Sequence, residues 1–145
     1  MSPTLKHLIN KKGKDIWSIP PDASVFDAIA LMAEKGIGLL LVMDDPHGLP
    51  VGVISERDYA RKIILQGRQS KKTAVADVMT RQVTYGRPDQ TVQEGMAAMT
   101  EGRFRHLPVV REGRVIGILS IGDLVKAVIE DQRFLIDQLE TYITS

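Results

Sequence analysis

The chain has 145 residues, enough for one domain or two small interlocked halves, and its 19 basic and 18 acidic residues leave a net charge of +1. That balance gives no electrostatic case for nucleic acid or membrane as the main partner. There is no cysteine, which excludes disulfides, thiol catalysis and cysteine metal sites.

Thr4 is placed to cap a short helix with Leu5, Leu8 and Ile9 on one face and Gly13 as its stop. Lys6, His7, Lys11, Lys12 and Lys14 fall on or near the other side, as a solvated basic face or as phosphate contacts. Asp15 to Ile19 reads as a short extended piece, broken by Pro20-Pro21. Ser24 starts a second helix with Val25, Ile29 and Met32 at helical spacing, ended by Gly36 and Gly38. Leu39 to Met43 reads as a strand buried on both faces, Asp44 to Gly48 as a turn, and Val51 to Ser55 as a returning strand. From Glu56 the pattern is helical again, with Tyr59, Ala60, Ile63 and Ile64 apolar. Gly67 to Lys72 is a polar connection. The longest apolar run, Ile37 to Met43, is far too short to span a bilayer. The N-terminus has scattered lysines but no signal-type apolar block, so a soluble cytoplasmic protein is expected.

The same grammar then repeats. Ala74 to Met79 is a short helix and Val83 to Tyr85 an extended piece. Thr91 and Glu94 form a capping box, and Val92, Met96 and Met99 match Val25, Ile29 and Met32 at an offset of 67 residues. His106 to Val110 is a strand. The offset falls to 65 after the hairpin, whose first copy is longer. Each copy carries one heptapeptide: Gly52-Val53-Ile54-Ser55-Glu56-Arg57-Asp58 and Gly117-Ile118-Leu119-Ser120-Ile121-Gly122-Asp123. Each reads as a strand ending at a serine, then a helix. Free N–H groups and the helix dipole suit an anion there, and the aspartate suits vicinal hydroxyls. Ser-x-x-Asp also serves as a plain helix cap. The upstream glycine favours close approach of a ligand to backbone. The last helix outruns its counterpart through Leu135 and Leu139 to Tyr142 and Ile143. That apolar stripe either meets a second copy or packs back on its own chain.

The duplicated unit, with its paired Gly-x-x-Ser-x-x-Asp and Arg105-His106-Leu107-Pro108-Val109, resembles the CBS domain, and the tandem resembles a CBS pair, or Bateman module. The stretch Ser55-Glu56-Arg57-Asp58-Tyr59-Ala60-Arg61 is similar to a stand-alone bacterial signal-transduction type. The resemblance covers about Asp15 to Glu130. It implies an α/β (α+β) fold of two pseudo-twofold-related strand–helix–strand–strand–helix motifs packed sheet to sheet. The division expected is 1–14 as N-terminal helix, 15–72 and 73–130 as the two motifs, and 131–145 as a helical extension that contacts a second copy.

The resemblance also implies a non-enzymatic regulatory module that binds AMP, ADP, ATP, NAD(H) or S-adenosylmethionine in clefts between the halves. Asp58 or Asp123 would hold the ribose and Ser55 or Ser120 would lie near phosphate. Trp17-Ser18-Ile19 and Thr84-Tyr85-Gly86 would flank adenine, and Arg103, Arg105 and His106 would reach phosphate. Gly52 and Gly117 complete the motif. The first half has Gly36, Gly38 and Leu39 where the second has Arg103, Arg105 and His106, so unequal clefts are expected. Arg57, at a helix start, is either a ligand contact or turned to water. His106 reads equally as a structural histidine, and Trp17 as a core anchor. No metal is expected, because His7, His47 and His106 share no ligand spacing with carboxylates. Neither a Walker loop, a Gly-x-Ser-x-Gly nor a dinucleotide fingerprint is present. The expected partners are a small nucleotide, a second copy and a downstream protein. The competing classes are an enzyme acting on a nucleotide in the same clefts and a dimerisation module without ligand.

Overall fold

Three helix starts follow the same local rule. Thr4, Ser24 and Thr91 each accept a hydrogen bond from the backbone N–H three residues on, and Thr4 and Thr91 complete reciprocal boxes with His7 and Glu94. The computed structural model describes residues 3–13 and 16–144. Lys14 and Asp15, read above as basic face and extended piece, lie outside the described residues. The elements are α1 (Leu5–Lys12), β1 (Ser18–Ile19), α2 (Val25–Lys35), β2 (Leu39–Val42), β3 (Gly52–Ser55), α3 (Glu56–Tyr59), α4 (Val92–Gly102), β4 (His106–Arg111), β5 (Arg114–Ser120) and α5 (Ile121–Thr144). A π-helical turn, Ala60–Ile64, continues α3, and 3₁₀ turns lie at Ser70–Lys72 and Val75–Asp77. The class is α+β.

The described residues form two compact units, one of residues 16–83 and one of residues 3–13 with 84–144. They depart from the 15–72 and 73–130 division in which segment finishes which core. In the first unit, β1 runs parallel to β2 and β2 antiparallel to β3. Leu40, Leu41 and Val42 are all buried, as a strand covered on both faces requires. Its core joins Val25, Ala28 and Met32 of α2 to Leu40, Val42, Ile54 and Ile63, and residues Val75, Val78 and Met79 close it. The helical face is led by Ala28, while Ile29 is half-buried. The helix after β3 is shorter than its apolar pattern: Ile63 is buried but Ile64 is 59% exposed, because the π turn rotates it off the core.

In the second unit, β4 and β5 pair antiparallel with an irregularity at Val109/Val110. The expected extended piece Val83 to Tyr85 forms no strand. Its pairing is one parallel bridge, Gly86 to Val109. That bridge sits 67 residues after the Ile19–Val42 pair, so the copy keeps the contact and loses the strand. Leu5, Leu8 and Ile9 of α1 complete a core of Val92, Met99, Leu107, Val109, Leu119 and Leu124. Gly95 replaces Ala28 because a Cβ there would lie 3.0 Å from Leu124 and 3.1 Å from Leu5.

Leu5 stands near the chain start yet is wholly buried. Leu5→Ala is expected to lower unfolding free energy by about 2–5 kcal/mol, read from urea denaturation. A change below about 1 kcal/mol would show that α1 is not part of this core.

Candidate functional site

Both heptapeptides fold as strand, serine, helix. Ser55 ends β3 and caps α3; Ser120 ends β5 and precedes α5. In each, the serine N–H donates to the aspartate three residues on, at 3.0 Å in the first copy and 2.8 Å in the second. The aspartate N–H donates back to the serine Oγ, at 3.2 and 3.1 Å. The capping function is therefore present in both copies.

The surroundings of the two carboxylates differ. Asp58 is 7% exposed. Its Oδ2 accepts from the Ser55 N–H and hydroxyl, and its Oδ1 accepts from the Thr80 hydroxyl at 3.2 Å and pairs with Lys62 Nζ at 3.1 Å. Lys62 also donates to the Val78 carbonyl at 2.8 Å. The Asp123 side chain keeps 31% exposure. Its bonds from Ser120 N–H and from Lys12 Nζ, at 2.7 Å, both fall on Oδ2, and Lys12 donates as well to the Ile118 carbonyl at 3.0 Å. Where the first copy draws its lysine from its own helix, the second has Ala127 at the matching position and draws it from α1. Asp123 borders a groove of about 780 Å³ between α1 and α5 that Lys11, Lys12 and Lys126 also line.

Desolvation alone would raise the Asp123 pKa. The Lys12 and Ser120 hydrogen bonds, with the Lys12 charge, outweigh it and hold the carboxyl below its ordinary value. Burial pushes the Tyr85 hydroxyl up from its ordinary value.

The motif glycines have a different role from the expected one. A Cβ on Gly117 would sit 2.3 Å from Ile9 Cδ1, and one on Gly52 would sit 2.7 Å from the Thr80 carbonyl and 2.8 Å from Met79 Sδ. The space above each glycine is taken by the chain itself rather than left for a ligand. Arg105, His106, Ser120 and Asp123 gather at one end of β4 and β5: His106 pairs with Ser120, and the Arg105 carbonyl accepts from Ile121 N–H at 2.8 Å. Gly38, Leu39, Ser55 and Glu56 repeat that pattern in the first unit. Arg103 caps α4 in the left-handed region, at φ 57°, where Gly36 stands in the other copy at φ 66°. Arg57 is exposed on the first turn of α3, Thr84 is exposed before the Gly86 bridge, and Ser18 is exposed on β1 beside Leu41. Trp17 packs half-buried against the first core, with Lys35 Nζ 4.3 Å from its ring centroid. Lys12 was read with the basic face of the first helix, as solvated or as a phosphate contact, and its pairing with Asp123 was not foreseen. Lys62 and Thr80 were not foreseen either; Lys62 had a signal in its i,i+4 spacing from Asp58, and Thr80 had none.

The CBS-domain family model matches residues 7–65 and 75–130. The chain belongs to the CBS-domain family. It is 38% identical over 150 residues to the CBS domain-containing protein CBSX3, mitochondrial, of Arabidopsis thaliana, covering 98% of this chain and 72% of that one. Other Arabidopsis CBS proteins match over a shorter stretch, and the alignment spans about a fifth of their length. A solved structure from Burkholderia ambifaria MC40-6, described as a candidate signal-transduction protein with CBS domains, superposes with a TM-score of 0.84 at 50% identity, covering 90% of this chain and 96% of that one. The CBS domain pair of protein MJ0100, solved with 5′-methylthioadenosine and S-adenosyl-L-methionine, has the same fold at TM-score 0.78 and 23% identity, covering 90% and 99% of the two chains.

The Asp123 pair makes a pH-dependent contribution to stability. Its pKa is lowered on folding, so the contribution is full above the ordinary carboxylate value near ~3.9 and is lost as pH falls through the folded value. Lys12→Met is expected to move this acid-side loss to higher pH in urea midpoints collected from roughly pH 2 to 7. Identical acid limbs for the two proteins would remove the pair from the account.

Proposed function

We propose that this CBS pair is a non-enzymatic regulatory module that binds an adenosine nucleotide, AMP, ADP, ATP or NAD(H), and acts on a downstream protein as a homodimer. The observation that carries the reading is the Asp123 junction. A half-exposed carboxylate with one oxygen turned to other use stands at a helix start beside an open groove, next to a basic strand end. The adenosine ligands of the MJ0100 pair support the ligand class. The regulatory role rests on the signal-transduction description of the Burkholderia relative. Each motif serine is held as a helix cap, which argues against a nucleophile. Among the described residues no helix is long and apolar enough to cross a membrane, and no group of three His, Cys, Asp or Glu could hold a metal.

The two junctions are unequal in this reading, though through the aspartates as well as through Arg103, Arg105 and His106. Asp58, with both oxygens engaged and little exposure, is a structural node; Asp123 takes the ligand. At ~100 times its dissociation constant, a nucleotide should stabilise the fold by about 2.7 kcal/mol. Asp123→Asn is expected to remove most nucleotide-induced shift in melting while the fold persists. Asp58→Asn is expected to cost about 1–3 kcal/mol of stability, as weakened hydrogen bonds at a buried acceptor do. No melting shift with AMP, ADP, ATP, NAD or NADH at millimolar concentration would overturn the ligand reading.

The homodimer rests on α5. Residues Val125, Ile129, Gln132, Ile136, Leu139 and Ile143 recur at alternating spacings of four and three, the 3.5-residue period of a helix seam. The apolar members are exposed. Gln132 interrupts the seam at its middle, and an amide there is satisfied by the same amide of a second copy. Ile136→Glu with Leu139→Glu should convert a dimer to a monomer by light scattering at micromolar concentration. A monomeric unsubstituted chain would end this part of the reading.

A further inference from the structure

Asp123 and Lys12 line one groove, and each has bonding capacity left toward it. Among the described residues, Lys12 uses two of its three donors, on Asp123 Oδ2 and the Ile118 carbonyl, and its side chain is 44% exposed. Among the described residues the Asp123 bonds from Lys12 Nζ and Ser120 N–H fall on Oδ2, so Oδ1 can take a hydroxyl donor. Lys11 and Lys126 line the same groove, as does His7. Glu130 and Asp131 do too, but seven and eight residues along α5 from Asp123, about 10–12 Å along the helix. Their repulsion of an anion is weakest at the Lys12 end. Asp58 offers no such arrangement, because Thr80 and Lys62 take the oxygen that Asp123 keeps open.

We propose that Lys12, carried on the N-terminal helix, sets the ligand charge at this junction. Asp123 accepts the sugar hydroxyls through Oδ1, and the third N–H of Lys12 meets a phosphate on the same nucleoside. The site then selects nucleoside phosphates over adenosine thioethers, which present a neutral or sulfonium sulfur where the phosphate would be. This rests on the adenosine reading above and deepens it, by assigning the selectivity to a residue outside the family's heptapeptide.

Calorimetry on the full chain with AMP and with 5′-methylthioadenosine tests it, since the two share the adenosine and differ at the phosphate. The unsubstituted chain should prefer AMP by about tenfold or more, as a charge-assisted bond to phosphate implies. Lys12→Met should lower AMP affinity far more than methylthioadenosine affinity and so erase most of that preference, and Lys12→Arg should retain it in part. Added salt should weaken AMP binding to the unsubstituted chain more than to Lys12→Met. Lys12→Gln gives a second neutral variant should Lys12→Met melt early. An AMP preference unchanged in both neutral variants overturns the inference and leaves the adenosine reading standing. Binding of neither ligand to the unsubstituted chain overturns the adenosine reading, and the inference falls with it.

Discussion

Each strand–helix–strand–strand–helix motif of this protein is too small to close its own core. A two- or three-stranded sheet with a helix on one side leaves apolar surface uncovered, and a motif of roughly 60 residues buries too small a fraction of its surface to stand alone. The remedy is the same in both. A short segment from outside the strand–helix–strand–strand–helix pattern enters beside the first long helix and fills the gap. In one unit it brings Leu5, Leu8 and Ile9; in the other, Val75, Val78 and Met79. The entry uses matching hydrogen bonds: Leu5 N–H to Gln90 and Val92 N–H to Pro3 in one, Val25 N–H to Thr73 and Val75 N–H to Ala23 in the other. The motif glycines follow from it, since any side chain at Gly52 or Gly117 would strike the inserted segment.

The inserted segment also decides what each aspartate can do. Thr80 follows Val78 and Met79 and arrives on Asp58; Lys12 follows Leu8 and Ile9 and arrives on Asp123. One arrival adds a hydroxyl to a carboxylate that Lys62 already holds, and seals it. The other supplies the only lysine the second carboxylate has among the described residues, and leaves it at the edge of a groove. Two copies of one heptapeptide thereby reach different chemistry without a change in serine or aspartate. Packing made the difference, and the helix caps are common to both.

What was legible in the sequence was local. The caps at Thr4, Ser24 and Thr91 were, because the residues that make them stand three apart. So were the duplication and the 67-residue register, which the Ile19–Val42 and Gly86–Val109 pairs reproduce. Long-range pairing was not. Lys12 and Asp123 are 111 residues apart, and nothing in the spacing of either names the other. The exposure of Ile64 was hidden for another reason: a helical wheel assumes 3.6 residues per turn, and the π turn at Ala60–Ile64 breaks that assumption. The residues at 73–83 read as the opening of the second motif because they precede it, yet they finish the first core. Order along the chain carries no record of which sheet a short connector covers.

One helix holds both ends of the proposed behaviour. α5 runs unbroken for 24 residues, about 36 Å, with Asp123 in its first turn and the exposed apolar stripe extending to its last. The described backbone holds no proline or π turn within it, so it has no hinge along its length. A stiff rod anchored at one end behaves as a lever: a tilt of about 5° at the anchored turn carries the far tip about 3 Å. Leu124 is the anchor, fully buried beside the carboxylate. Any readjustment of the first turn is therefore magnified at the tip, and the residues there see it as a change in where their neighbours must stand.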